Sequence, residues 1–426
     1  MSMPRVVLTI GGSDSGGGAG IQADIKTFSA LGLHGTSVIT AATAQNTLGM
    51  QKAFGLDPGA VAMQLKSVLS DFNVACAKTG MLFSAEIVSV VAEIIEEFKV
   101  PLVVDPVIEA EAGGRLFRPE AVEALKEELI PIARVITPNI FEARTLTGIE
   151  VSDMGSARLA AQRLMEMGAE AVVVKGGHLD CTDLVLDRGD LHTLLGKRAK
   201  GGNHGVGCTY SAALTAFLAE GCSLKDAASR AKIFAAESVA RSMDVGHGVS
   251  PVDQAGAIRE DAYRFRAISQ VEDAAGMIID EAGMRSLMPG NGIDLGMAIP
   301  GATSVDDVVS CLVRGGGLSG RARFGRDCGS ARAILAAMKL DPERRAAASL
   351  GLKGLSPKSC DGLGLSCAGL IRREEGRMPS ALSDLGYVPD VIFDEEEPAA
   401  WLFASTASEA ALMAIKISKL AGNGKI

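Results

Sequence analysis

Aromatic residues are scarce in this chain, at 4% of 426 positions, with a single tryptophan. That argues against the stacking platforms on which single-stranded nucleic acid is held. Positive charge is not in excess either. Lys and Arg number 42 against 51 Asp and Glu, a net charge of −9, so no basic stripe is expected and nucleic acid is not an expected partner. The eight cysteines form no Cys-x-x-Cys pair and no His-Cys cluster. Structural zinc and a disulfide framework are therefore not expected, and reduced thiols in the cytoplasm are. No run approaches about 18 apolar residues, so no membrane span is expected. The opening MSMPRVVLTIGGSD holds no apolar stretch long enough for a signal peptide.

What is present is an ordinary globular balance, 47% hydrophobic and 22% charged, in a chain too long for one core. Through residue 255, short apolar runs alternate with helical patterns. Val6–Ile10, Ser37–Thr43, Leu102–Val104, Val135–Thr137 and Ala171–Val174 read as strands. Stretches 21–31, 61–69, 85–98 and 158–167 read as helices. This alternation predicts an α/β fold with a doubly wound, largely parallel sheet. Residues 256–267 are charged, lack turn signals, and read as a connecting helix or linker. A second, smaller α/β domain is expected over 268–426. There Asp306–Val313 and Ser330–Met338 look helical, Pro389–Phe393 reads as a strand, and Thr406–Leu420 as an amphipathic helix.

Four segments of the first domain fall at strand ends, where such sheets bind ligands. The glycine run 11–20 joins a strand to a helix and lets a ligand approach the backbone; it reads otherwise as a flexible linker. In Thr137-Pro138-Asn139-Ile140-Phe141-Glu142, Asn139 and Glu142 share one helix face. They suit a hydrated Mg²⁺ beside phosphates, or equally a capping box. Lys175 ends a strand ahead of Gly176 and Gly177, facing either nucleotide phosphate or solvent. His204-Gly205-Val206-Gly207-Cys208-Thr209 opens an apolar helix whose first N–H groups suit a phosphoryl group in transfer. Cys208, at that helix start, is expected to have its pKa pulled below about 8.5 and to act as a base. A cysteine elsewhere in the chain would read as buried and inert.

The segments GGSDSGGGAGIQADIKTFSALGLHG, VITAATAQNT, KTGML, VVDPV, TPNIFEA, VKGGH, HGVGCTYSAAL and VGHGVSPVD span nearly all of residues 1–253. In this order they resemble the ribokinase-like superfamily, and within it the hydroxymethylpyrimidine and phosphomethylpyrimidine kinases of thiamin synthesis. The resemblance implies a ribokinase-like fold. It also implies phosphorylation by ATP, with Mg²⁺, of hydroxymethylpyrimidine and then of its phosphate. By position it implies that Asp24 and Gln45 bind the aminopyrimidine and that Met81 lines its pocket. Asn139 and Glu142 would organise the metal with Asp105 nearby, and Lys175 would contact phosphate. Gly205, Val206 and Gly207 would form the anion hole, with Cys208 as base; Val206 departs from the Thr or Ala usual there. A homodimer is implied, and a pyridoxal kinase of the same superfamily is the alternative.

Residues from 268 onward resemble the archaeal-type thiamin phosphate synthase domain, through GMAIPGA (296–302), Asp306-Asp307-Val308, Arg323-Phe324-Gly325, Ala336-Ala337-Met338 and Pro389-Asp390-Val391-Ile392-Phe393-Asp394. That family joins pyrimidine diphosphate to thiazole phosphate. Arg314, Arg321, Arg323 and Arg332, around Gly315–Gly317, would hold the leaving pyrophosphate or form a solvated face. The family carries a histidine where this chain has Gly329, and all five histidines lie before residue 248. The segment after Asp394, Glu395-Glu396-Glu397-Pro398, looks shortened. Two expectations follow for this domain: a working synthase, or a sensor of thiamin phosphate.

Overall fold

A computed structural model describes residues 4–108, 119–315, 317–352, 360, 362–369, 377–394 and 399–422. Gly316 and the segment 395–398 lie outside the described residues. The chain divides into two compact units, Met1–Ile258 and Arg259–Ile426.

In the first unit, β1 (Val6–Asp14), β2 (His34–Asn46), β3 (Gly49–Gly55), β4 (Val74–Thr79), β5 (Leu102–Val104), β6 (Val135–Ile136), β7 (Ala171–Val174), β8 (Asp183–Asp187) and β9 (Asp190–Leu194) form one sheet. Among the described residues its order is β3-β2-β1-β4-β5-β6-β7-β8-β9. Neighbours from β2 to β7 pair in parallel, while β3, β8 and β9 add antiparallel edges. Strands such as Leu102–Val104 and Ala171–Val174 are buried throughout, which is why they lack polar alternation. The sequence reading did not separate the β8–β9 hairpin. Its turn puts Arg188 (φ 49°) and Gly189 (φ 97°) in the left-handed region, and only the glycine marks this in the sequence.

Helices cover both faces. On one lie α2 (Pro58–Asp71), α3 (Ala85–Phe98), α4 (Pro119–Ala124), α5 (Ile140–Thr147) and α6 (Met154–Glu166), packed through Leu65, Ile87, Val91, Ala143 and Ala160. On the other lie α1 (Gly20–Ala30), α7 (Val206–Ala219) and α8 (Leu224–Ala240), packed through Phe28, Ala213, Phe217 and Ala228. Order reverses at β1: the chain moves from β1 outward to β2 and β3, then returns to β4 on its other side. That reversal opens a crevice at the carboxyl ends of β1 and β4.

Residues 256–267 form the first half of helix α9 (Gly256–Asp280). In the second unit, β10 (Ile293–Ala298), β11 (Val308–Arg314), β12 (Gly317–Leu318), β13 (Arg323–Phe324), β14 (Ala346–Gly351), β15 (Cys367–Gly369), β16 (Val391–Asp394) and β17 (Ala399–Ala404) make a mostly antiparallel sheet. Helix α10 (Gly329–Met338) and Leu382 of α11 (Arg377–Leu385) pack on one face. Residues 267–278 of α9 and the helix α12 (Ala407–Gly422) pack on the other. Asp306–Val313 is a correction. The helix expected there is a single turn at Val305–Asp307 followed by β11, which pairs with β10 from Ile293↔Val313 to Ala298↔Val308. Val308–Cys311 is buried residue by residue, and an apolar run buried on both sides carries no period that separates strand from helix. No helix among the described residues is long and apolar enough to cross a membrane.

Ile10 lies on β1 with no exposure, at the centre of the larger core. Ile10→Ala is expected to cost roughly 2–5 kcal/mol of stability, seen as a lower urea midpoint at unchanged m-value.

Candidate active site

The crevice is a cleft of about 980 Å³, solvent at its mouth included. Asp14, Asp24, Gln45, Lys78, Met81, Asp105, Asn139, Glu142, Lys175, His204, Gly205, Gly207 and Cys208 all line it. Of the expected first-domain site residues, only Val206 is absent from its wall.

One side is the glycine loop. Asp14, 4% exposed, ends β1 and accepts from the N–H groups of Gly16 (2.8 Å), Gly18 (3.0 Å) and Ala19 (2.8 Å). Its Oδ2 also lies 3.2 Å from His204 Nε2. Burial pushes the Asp14 carboxyl up, but the His204 ring and the loop N–H groups outweigh it and hold the group below its usual value. The loop is thus tied down by its own aspartate, not left as a linker. Gly205 (φ 87°) begins the second loop, and a Cβ there would lie 1.9 Å from the Gly18 carbonyl oxygen. The two glycine loops touch, and only glycine permits it.

The floor holds two ion pairs, Asp24–Lys78 fully buried and Asp105–Lys175 with its lysine partly exposed. Lys78 Nζ lies 2.9 and 3.1 Å from the two oxygens of Asp24, which also accepts from Thr9 Oγ1 at 2.6 Å. Burial alone would lower the Lys78 pKa, but Asp24 first, then Cys208 and Asp105, hold it above its usual value. Burial pushes the Asp24 carboxyl up against the pull of Lys78. The bidentate contact and the Thr9 donor favour the ionised pair. Lys175 Nζ lies 2.7 Å from Asp105 Oδ1, while Thr137 and Ser211 donate to the two Asp105 oxygens at 3.2 and 2.8 Å. Burial would lower Lys175, yet Asp105 and Glu142 raise it to about 12. It faces neighbours of opposite charge within the cleft, not solvent.

Asn139 and Glu142 form the capping box of α5. Asn139 Oδ1 accepts from the Phe141 and Glu142 N–H groups at 2.9 Å each, and Glu142 Oε2 accepts from the Asn139 N–H at 2.7 Å. The Asn139 oxygen is therefore committed to the helix. Among the described residues no three His, Cys, Asp or Glu side chains cluster as a metal-binding group. Asp105 and Glu142 nevertheless put two carboxylates beside one lysine on the cleft wall, a surplus of negative charge suited to a hydrated divalent ion.

Two expectations about α7 are corrected. The Val206 N–H donates to the Asn203 carbonyl oxygen at 3.1 Å, so it is not open to an anion. Gly207 and Cys208 are the first-turn residues of α7 on the cleft wall. The Cys208 thiol is not lowered. Burial pushes it up to about 12, against the pull of the Lys78 ammonium and a hydrogen bond from the Gly20 N–H. A helix start stabilises a thiolate only while water or counter-charge also solvates it, and here desolvation wins.

Sequence reasoning assigned no role to Asp14, Lys78, His204 or Ser211. A fully buried lysine in the otherwise apolar strand Val74–Thr79 was the available signal for Lys78. The Asp14–His204 and Ser211–Asp105 contacts join residues 190 and 106 positions apart and leave no local pattern.

In the second unit, Arg332 makes a two-pronged contact with Asp327 (2.7 and 2.8 Å), which holds the Asp327 carboxyl below its usual value. Both are exposed, and the arginine fork is already filled by a carboxylate. Arg321 and Arg323 are exposed, with Arg323 opposite Ser310 in the β11–β13 ladder. At Gly329 a Cβ would lie 2.6 Å from Trp401 Cη2. The indole occupies the space a side chain at position 329 would take, where a histidine was expected. The start of α10 is closed by Asp294, which accepts from the Ser330 N–H and Oγ at 2.8 Å each.

Residues 14–253 match the family model of phosphomethylpyrimidine kinase. The chain belongs to that family. Residues 270–416 match the thiamine-phosphate synthase model. The Streptomyces coelicolor hydroxymethylpyrimidine/phosphomethylpyrimidine kinase is 44% identical over 260 residues, 60% of this chain and 97% of that protein. The thiamine biosynthesis bifunctional protein of Geobacter sulfurreducens is 47% identical over 252 residues, 58% of this chain but only 51% of that protein. Among solved structures, the phosphomethylpyrimidine kinase of Clostridium difficile is 39% identical and covers 55% of this chain and 98% of its own, at TM-score 0.50. The pyridoxal kinase of Staphylococcus aureus in complex with ADP is 36% identical and covers 61% and 96%, at TM-score 0.57. This protein is a kinase of thiamin biosynthesis that carries a thiamine-phosphate synthase domain, and its family uses ATP.

A thiol raised to about 12 stays protonated at neutral pH, so Cys208 should resist iodoacetamide at pH 7–8. Its alkylation rate, followed by peptide mass spectrometry, should keep rising with pH beyond 9; a plateau near pH 8 would contradict the burial argument.

Proposed function

We propose that this cleft phosphorylates the hydroxymethyl group of an aminopyrimidine and then the resulting monophosphate, with Cys208 as the base of the first step. The observation that carries this reading is the placement of Cys208 on the cleft wall, in the first turn of α7, beside the buried Lys78. In the first step the substrate hydroxyl attacks the γ-phosphorus of ATP. Its proton goes to the Cys208 thiolate, and the bond to ADP breaks. Lys78 and the Gly20 N–H stabilise the thiolate when it forms. The raised pKa makes that thiolate a minor but strongly basic species.

Gly207 and Cys208 open a helix whose N-terminal dipole favours the charge of the transferred group. Lys175, poised on Asp105, is placed to exchange part of that contact for nucleotide phosphate. Glu142 and Asp105 would hold Mg²⁺ through its waters, and the ion would neutralise phosphate charge. Gln45 and Met81 would contact the pyrimidine. Asp24, 1% exposed and bound to Lys78 and Thr9, supports that wall from behind. Pyridoxal is the second candidate acceptor, because pyridoxal kinases match this unit at TM-score 0.56–0.57. A homodimer fits the edge position of β3, where Phe54 is 52% exposed and Leu48, in the turn before the strand, 68% exposed.

The monophosphate oxygen is already anionic and needs little help from a base. Cys208→Ala should therefore lose the first phosphorylation by about 10²-fold or more and the second far less. Equal losses, read by assaying both substrates separately, would reject the base assignment. For the second unit we propose coupling of pyrimidine diphosphate to thiazole phosphate, with thiamin phosphate sensing as the competing role. Purified protein given both compounds should form thiamin phosphate. No product, with thiamin phosphate still bound in a calorimetric titration, would establish the sensor.

A further inference from the structure

The hydrogen bonds around His204 decide which end of the Gln45 amide faces the acceptor pocket. His204 Nε2 lies 3.2 Å from Asp14 Oδ2 and 3.4 Å from Gln45 Nε2, on an amide whose two ends a half-turn interchanges. A carboxylate only accepts, so the ring nitrogen facing Asp14 must carry the proton. The Gln45 group that shares this nitrogen must then be an acceptor, its Oε1. The two ends of a carboxamide are nearly equal in size, so hydrogen bonding alone chooses between them.

A separate contact gives the same answer. Thr43 Oγ1 has one proton, and it donates to the Ser13 carbonyl oxygen at 3.0 Å. It therefore has only lone pairs to offer Gln45 Oε1, 3.4 Å away, and a half-turn of the amide puts the NH₂ there instead. Oxygen toward His204 and nitrogen toward Thr43 satisfies every partner; the reverse orientation leaves two donors facing each other.

The geometry points to His204 as a specificity-determining positioning residue: through Asp14 it fixes the Gln45 amide so that the pocket presents an N–H donor to the acceptor substrate. One Gln45 N–H serves Thr43 and the other is left for a ligand. Its complement is a ring nitrogen with a free lone pair, which selects a hydroxymethyl azine over an isosteric benzene ring. His204 is held for this by its backbone, which bonds to Ser250 and Val252, and its ring edge lies against Gly18 where no side chain fits.

This inference rests on the pyrimidine reading of the cleft. The test compares kcat/KM for hydroxymethylpyrimidine and for its analogue with the ring nitrogens replaced by CH, in wild type, His204→Leu, His204→Gln and Gln45→Met. Wild type should prefer the azine by about 10-fold or more. His204→Leu and Gln45→Met should lose most of that preference through KM for the alcohol, with KM for ATP unchanged. His204→Gln, which keeps an N–H for Asp14, should retain much of it. Preference preserved in either His204→Leu or Gln45→Met overturns the inference. Should His204→Leu not fold, His204→Phe takes its place with the same expected loss. A wild type inert toward both alcohols overturns the pyrimidine reading instead.

Discussion

Charge taken out of water needs a partner, and that constraint organises the cleft. Asp24, Lys78 and Asp105 are at most 2% exposed, beneath a sheet built of valine, alanine and isoleucine. None could remain there alone: breaking a buried pair by removing one partner costs about 3–5 kcal/mol. The pairs Asp24–Lys78 and Asp105–Lys175 therefore bind the carboxyl ends of β4, β5 and β7 and the start of α1 into one floor. Ser211 extends that floor to α7 through Asp105. The positions of Cys208 and Gly207 follow from this, since both sit one turn before Ser211.

The same constraint explains why Cys208 differs from the ordinary image of a reactive helix-start cysteine. Its neighbours include one ammonium and one N–H donor, but also Asp24 and Asp105. The lysines are already neutralised by those carboxylates, so little positive charge is left to draw the thiol proton away. A protonated resting thiol protects the site from adventitious oxidation and still offers a strong base once ionised.

In the second unit, family membership and local detail diverge. The sheet and its flanking helices are present, and the segments that carry the resemblance lie on them. At the one position where a histidine was expected, Trp401 from β17 fills the space above Gly329 and Asp294 caps α10. Trp401 and Gly329 are 72 residues apart, so the pairing is invisible to a reading of either segment. Arg332, read as a pyrophosphate contact or part of a solvated face, is held by Asp327, five residues before it.

The sequence by itself determined the doubly wound first unit, because buried parallel strands and amphipathic helices write themselves as apolar runs and periodic stripes. It also determined the cleft residues that punctuate strand ends: glycines, Pro138-Asn139, Lys175 and Cys208. Only the tertiary structure decided which of these are free to act. The Asn139 oxygen and the Val206 N–H are spent within the fold, Lys78 and His204 join the site, and the Cys208 thiol rises instead of falling. The physical reason separates the local bonds from the distant ones. The Asn139 and Val206 bonds close within three residues, whereas hydrogen bonding and desolvation at Lys78, His204 and Cys208 depend on atoms brought together from distant segments, and no spacing along the chain records them.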